Sequence, residues 1–152
     1  MPGMDTLYLL YLSPPGELVN VPQNALFAPG LQLREAAFTA QARPGGEVAV
    51  RLTWQALERP SASYKVFVHL YAPDGHLVAQ HDGFPANEMR PTDSWHPGEI
   101  VTDNHGLLLP PDAPTPLRVV VGLYDPATGE RLPLADGEEV CEVGHIEVAS
   151  TE

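Results

Sequence analysis

Residues Glu47 to Trp54 read EVAVRLTW. Their alternation puts Val48, Val50, Leu52 and Trp54 on one side of an extended chain, with Glu47, Arg51 and Thr53 on the other. A period of two can bury a single face only as a strand. The pattern returns in Leu117 to Tyr124 (LRVVVGLY), with Leu117, Val119, Val121 and Leu123 on one face, and Tyr64 to Tyr71 (YKVFVHLY) is rich in β-branched and aromatic residues. The segments are punctuated by turns. Ala72-Pro73-Asp74-Gly75-His76 has Pro at the first central position and Gly where φ must be positive, which suits a type I turn closed by a bulge and a hairpin returning through Leu77 to His81. Asp125-Pro126-Ala127-Thr128-Gly129-Glu130 is built alike and leads into Arg131 to Leu134.

Ile100 to Leu109 is a further extended segment, interrupted by Gly106 and stopped by Pro110-Pro111, which have no N–H to continue a ladder. Glu139 to Val148 is the last strand, with Ile146 and Val148 facing in. Leu31 to Thr39 and Leu7 to Leu12 are weaker candidates, and Glu35-Ala36-Ala37 fits one helical turn equally well. No window carries helical periodicity beyond about two turns. The expected fold is therefore an all-β, two-sheet antiparallel β-sandwich, immunoglobulin-like or jelly-roll-like, with little helix. Residues 21–150 form the single sandwich domain in this reading. Residues 1–20, with Pro14-Pro15-Gly16 and Pro22 just beyond, form an N-terminal arm or edge strand.

Charge narrows the function classes. Eight Lys plus Arg against 20 Asp plus Glu give a formal net charge of −12, a field that repels phosphate backbones, so nucleic acid is not an expected partner. The longest apolar run near the start, Leu7 to Leu12, follows Asp5 and falls far short of the roughly 20 residues of a membrane-crossing helix, so neither a signal peptide nor a span is expected. Cys141, the one cysteine, cannot close an internal disulfide or build a Cys-based zinc site. No cofactor is called for. The sequence holds no Gly-x-Ser-x-Gly, His-Glu-x-x-His, phosphate-binding glycine loop or dinucleotide fingerprint, and Asp103-Asn104 and Asp112 lack EF-hand spacing.

Two groups of residues are candidates for a contact surface. With a three-residue loop at Pro73-Asp74-Gly75, His69 stands opposite Ala79 and His81 opposite Phe67, so the two imidazoles share a sheet face as diagonal neighbours about 7 Å apart. They lack the third and fourth ligands of a zinc or copper site at short spacing. The second group is the connection 82–99, DGFPANEMRPTDSWHPGE, the longest segment without strand character. Phe84, Met89 and Trp95 are its apolar members, and His96 is among its polar ones. Trp95 is either a stacking platform for a sugar ring or a plug that pins the loop across the sandwich end, and the plug is the expectation.

An ordered run of motifs resembles a known family. Leu52-Thr53-Trp54-Gln55-Ala56, Val66-Phe67-Val68-His69-Leu70, Pro73-Asp74-Gly75, Gln80-His81-Asp82-Gly83, Pro91-Thr92, Trp95-His96-Pro97-Gly98-Glu99 and Val121-Gly122-Leu123-Tyr124-Asp125-Pro126-Ala127-Thr128-Gly129-Glu130-Arg131-Leu132 stand in the order found there. The chain, over roughly Phe27 to Val148, looks like the uncharacterised β-sandwich domain attached, mostly in Chloroflexi and related bacteria, to multi-span membrane proteins similar to protein mannosyltransferases. The resemblance implies an extracytoplasmic accessory domain, and the chain is expected to be a non-catalytic accessory or protein-interaction module, with the parent membrane glycosyltransferase-like protein or a glycan as partner. It supplies no catalytic residue. Carbohydrate binding through the loop 82–99 is the alternative, and a glycoside hydrolase-like enzyme the minority one, since any two of 20 acids can be nominated as its pair.

Overall fold

The computed structural model describes residues 17–149, so the strand candidate Leu7 to Leu12 lies outside the described residues. Nine strands are found there: β1 (Leu18–Phe27), β2 (Leu31–Thr39), β3 (Gln41–Ala42), β4 (Glu47–Ala56), β5 (Lys65–Tyr71), β6 (Leu77–Gly83), β7 (Ile100–Leu108), β8 (Leu117–Tyr124) and β9 (Cys141–Val148). One 3-10 turn, Thr92–Ser94, is the only helix among the described residues. The strands form a five-stranded sheet in the order β3-β9-β8-β5-β6 and a four-stranded sheet in the order β1-β2-β4-β7. The fold is an all-β sandwich. All pairings are antiparallel except the two-residue contact of β3 with β9, which is parallel.

The alternation in β4 maps onto burial residue by residue: Val48, Val50, Leu52 and Trp54 are buried, while Glu47, Ala49 and Arg51 are exposed. Burying one face of each sheet against the other removes these side chains from water, at about 25 cal/mol per Å² of apolar surface. Leu117, Val119, Val121 and Leu123 of β8 and Val66, Val68 and Leu70 of β5 meet them from the opposite sheet. Trp54 packs on Phe27 with ring centroids 5.7 Å apart.

Three local expectations are corrected. Glu35-Ala36-Ala37 is strand, and the register shift between Leu33 and Glu35 accounts for its broken alternation. Gly106 does not interrupt β7, which pairs with β4 from Ile100 to Leu108. Pro22 does not separate an arm from the sandwich: it lies in β1, where the pairing with β2 shifts between Pro22 and Ala25, and β1 is a sheet edge where a missing N–H is tolerated.

Side-chain bonds join the two sheets along both sides of the sandwich. On one side Gln23 of β1 donates from Nε2 to the Val143 carbonyl of β9 at 3.3 Å. On the other, His81 of β6 reaches His105 of β7.

Candidate functional site

The hairpin of β5 and β6 sets which histidine points where. Ala72 N donates to the His76 carbonyl at 2.9 Å, as the turn chemistry requires. A register shift between Leu70 and Tyr71 then moves the pairing by one residue: Tyr71 faces Leu77, Leu70 faces Ala79, His69 faces Gln80 and Val68 faces His81. Because side chains alternate, this slip sends His69 and His81 to opposite sides of the sheet. The expected shared face is thus corrected.

His81 turns toward the seam between the sheets. Its Nδ1 lies 2.8 Å from Nδ1 of His105, whose Nε2 donates to Asp103 Oδ2 at 2.6 Å. Asp103 Oδ1 accepts from Ala86 N at 2.9 Å. With Nε2–H committed to the carboxylate, a neutral His105 offers Nδ1 as an acceptor, so His81 is the donor across the seam. The side chains of Asp103 and His105 are both 1% exposed. Burial, followed by the neighbouring His105, holds the His81 pKa below the usual imidazole value.

This chain of bonds anchors the connection 82–99. Ala86, Asn87 and Glu88 all have positive φ, so the backbone makes a short left-handed turn, a conformation that is costly for residues other than glycine. Glu88 Oε2 accepts from Phe84 N at 2.8 Å, and Arg90 pairs with Glu99 at 2.6 Å. Trp95 is 1% exposed and donates from Nε1 to the Arg90 carbonyl at 3.0 Å. It is a plug. Met89 is 77% exposed, and exposed His96 donates its backbone N–H to Glu99 Oε1. The loop therefore presents no aromatic platform built on Trp95.

His69 points outward from the five-stranded sheet, into a row that no local sequence pattern assembles. Phe67, His69 and Tyr71 are successive outward residues of β5, with ring centroids 4.7 Å apart for Phe67 and His69 and 5.8 Å apart for His69 and Tyr71. Tyr124 of β8 stands beside Phe67 at 6.2 Å. Phe67 lies flat because Gly122 of β8 has no side chain beneath it, and a Cβ there would overlap the ring. The residues were visible in YKVFVHLY and LRVVVGLY. What linked them is the β5–β8 pairing, which sets Phe67 against Gly122 and Lys65 against Tyr124.

Polar groups frame the row. Tyr124 donates its hydroxyl proton to Asp82 Oδ2 at 3.0 Å, and burial, then this bond, raises the Tyr124 pKa. His69 Nδ1 is 3.0 Å from the Tyr71 hydroxyl, and burial lowers the His69 pKa. The Arg131 guanidinium sits 4.6 Å over Phe67, Arg118 5.4 Å over Tyr71, and Lys65 Nζ 5.2 Å over Phe84. Of the six residues nominated from the sequence, His69 and Phe84 reach this framed row. His81 belongs to the seam, while Met89, Trp95 and His96 remain with the loop.

No family model and no curated protein matches the chain. Among solved structures it is similar to the C-terminal domain of Wzt, with a TM-score of 0.61 and 12% sequence identity over 94% of this chain and 86% of that one. At such identity the likeness establishes a shared fold.

Proposed function

We propose that this chain is a non-catalytic binding module that holds a glycan on the outer face of its five-stranded sheet. The supporting observation is the row Phe67, His69 and Tyr71 with Tyr124 beside it, framed by Asp82, Arg131 and Arg118. Sugar rings offer an apolar C–H face to an aromatic ring and hydroxyls that need donors and acceptors at its edge. Phe67 itself is covered, so the ring surface comes from half-buried Tyr124 at one end and, beside the Arg118 guanidinium that stands over it, half-buried Tyr71 at the other. The surface is shallow. That form suits a chain lying across strands better than a small molecule that needs enclosure.

The extracytoplasmic accessory role beside a sugar-transferring membrane enzyme is supported by the sequence resemblance and is compatible with such a face. A protein-docking reading has its own support on the other sheet, where Ile100 and Leu108 stand exposed near the two ends of edge strand β7.

A glycan screen followed by titration of wild type, Tyr71→Ala and Tyr124→Ala tests the reading. Binding in the wild type and a loss of about ten-fold or more in each variant is expected, the scale of a truncated aromatic contact. No binding to any glycan by a folded wild type would overturn it.

A further inference from the structure

Three of the eight Lys and Arg residues of this acidic chain, Lys65, Arg118 and Arg131, lie on the proposed binding face, each over an aromatic ring. Lys65 is the only lysine in the sequence. Arg118 is neutralised by Glu142 at 3.0 Å. The other two are not: among the described residues neither Lys65 nor Arg131 has a carboxylate within 4.0 Å or a side-chain hydrogen bond to the protein.

The stacking explains how Arg131 is presented. A guanidinium held over Phe67 keeps its position, and Phe67 is only 2% exposed beneath it while Arg131 remains exposed. What the face offers above Phe67 is thus a positioned fork of N–H donors with no acceptor among the described residues. That fork matches a carboxylate or phosphate in a two-bond geometry. Lys65, two positions before Phe67 on β5 and therefore about 7 Å away along the strand, adds a second positive charge on the same row. Asp82 on β6 accepts from the Tyr124 hydroxyl and keeps its negative charge, while Glu130 and Glu139 line the same hollow as Arg131 without coming within 4.0 Å of its guanidinium.

From these two cations, neither of them paired among the described residues, we infer that the ligand of this face is an acidic glycan, whose carboxylate or phosphate groups are taken by Arg131 and Lys65. This rests on the glycan-binding reading and specifies its substrate class. The overall charge of −12 opposes the approach of any polyanion, so selectivity has to come from short-range contacts at these two residues.

The test is calorimetric titration of the folded protein with three probes: a tetragalacturonate, a neutral maltotetraose and a mannose-phosphate oligosaccharide. Variants are Arg131→Gln, Lys65→Gln and, as a control of equal charge change on the opposite sheet, exposed Arg51→Gln. Tighter binding of an acidic probe than of the neutral one is expected, with a loss of about ten-fold or more in Arg131→Gln, a smaller loss in Lys65→Gln and little change in Arg51→Gln. Arg131→Lys should restore part of the affinity, and thermal unfolding of each variant separates lost contacts from lost folding. The uronate and phosphate probes identify which anion is preferred. Equal affinity for neutral and acidic probes would overturn the charge inference and leave the glycan reading in place, whereas no binding by any of a broad set of glycans would overturn both. An equal loss in Arg51→Gln would overturn the assignment to Arg131.

Discussion

Nδ1 of His81 on β6 lies 2.8 Å from Nδ1 of His105 on β7, joining the edge strands of two different sheets through a pair of imidazoles. Only one proton fits between them. His81 supplies it, and His105 accepts at Nδ1 because its Nε2–H is given to Asp103.

Stability should fall as the solution is acidified from pH 8 toward 5. The pKa values of His81 and His69 are held below the imidazole value in the folded chain, principally by burial. In the unfolded chain these rings take up protons near pH 6.5, whereas the folded chain takes them up at lower pH. The unfolded state thus binds more protons in this window, and unfolding becomes easier as pH drops below about 6.5. Chemical denaturation at half-unit steps measures the slope, and the double variant His69→Gln, His81→Gln should flatten it. A wild-type stability that is level from pH 8 to 5 would rule the account out.

The Asp103–His105 pair predicts non-additivity. Asp103→Leu removes the acceptor of both His105 Nε2 and Ala86 N, and His105→Leu strands a buried carboxylate. Each single change should cost about 3 kcal/mol or more. The double change Asp103→Leu, His105→Leu should cost clearly less than their sum, which a double-mutant cycle of denaturation midpoints reads directly.

Trp95→Ala should destabilise by about 3–5 kcal/mol through cavity formation and lost burial. Affinity for glycans should change little in the fraction that remains folded, because the buried indole makes its hydrogen bond to Arg90 within the loop. Near-wild-type stability together with lost sugar binding would contradict the plug.

Gly122→Ala should disturb the outer row directly. The added methyl overlaps the Phe67 ring, so the ring must lift and carry Arg131 with it. A cost of about 1–3 kcal/mol is expected from overpacking. Binding on this face should weaken alongside, whereas Gly106→Ala, on a strand position with nothing near the added methyl, should leave binding unchanged.

The strands were legible because burial of one sheet face imposes a period of two on the residues themselves. Val48, Val50, Leu52 and Trp54 need no neighbour to declare their side, and Leu117 to Tyr124 has the same bounds in sequence and structure. Trp95 as a plug was also readable, since an indole in a long loop of a small sandwich has its largest gain in burial. The two histidines of the hairpin were placed on one sheet face, and the observed pairing puts them on opposite faces. Local turn chemistry specifies that Ala72 meets His76, but a single bulge at Val78 reverses the facing of every residue after it.

His81–His105–Asp103 and Phe67–Gly122–Arg131 lay beyond such reading for one shared physical reason. Each unites residues from strands or loops far apart in the chain, and no local pattern states which strand lies beside which. Alternation tells each residue whether it faces the core. The order β3-β9-β8-β5-β6 lays Phe67 over Gly122, and the packing of the two sheets puts His81 of one within reach of His105 of the other.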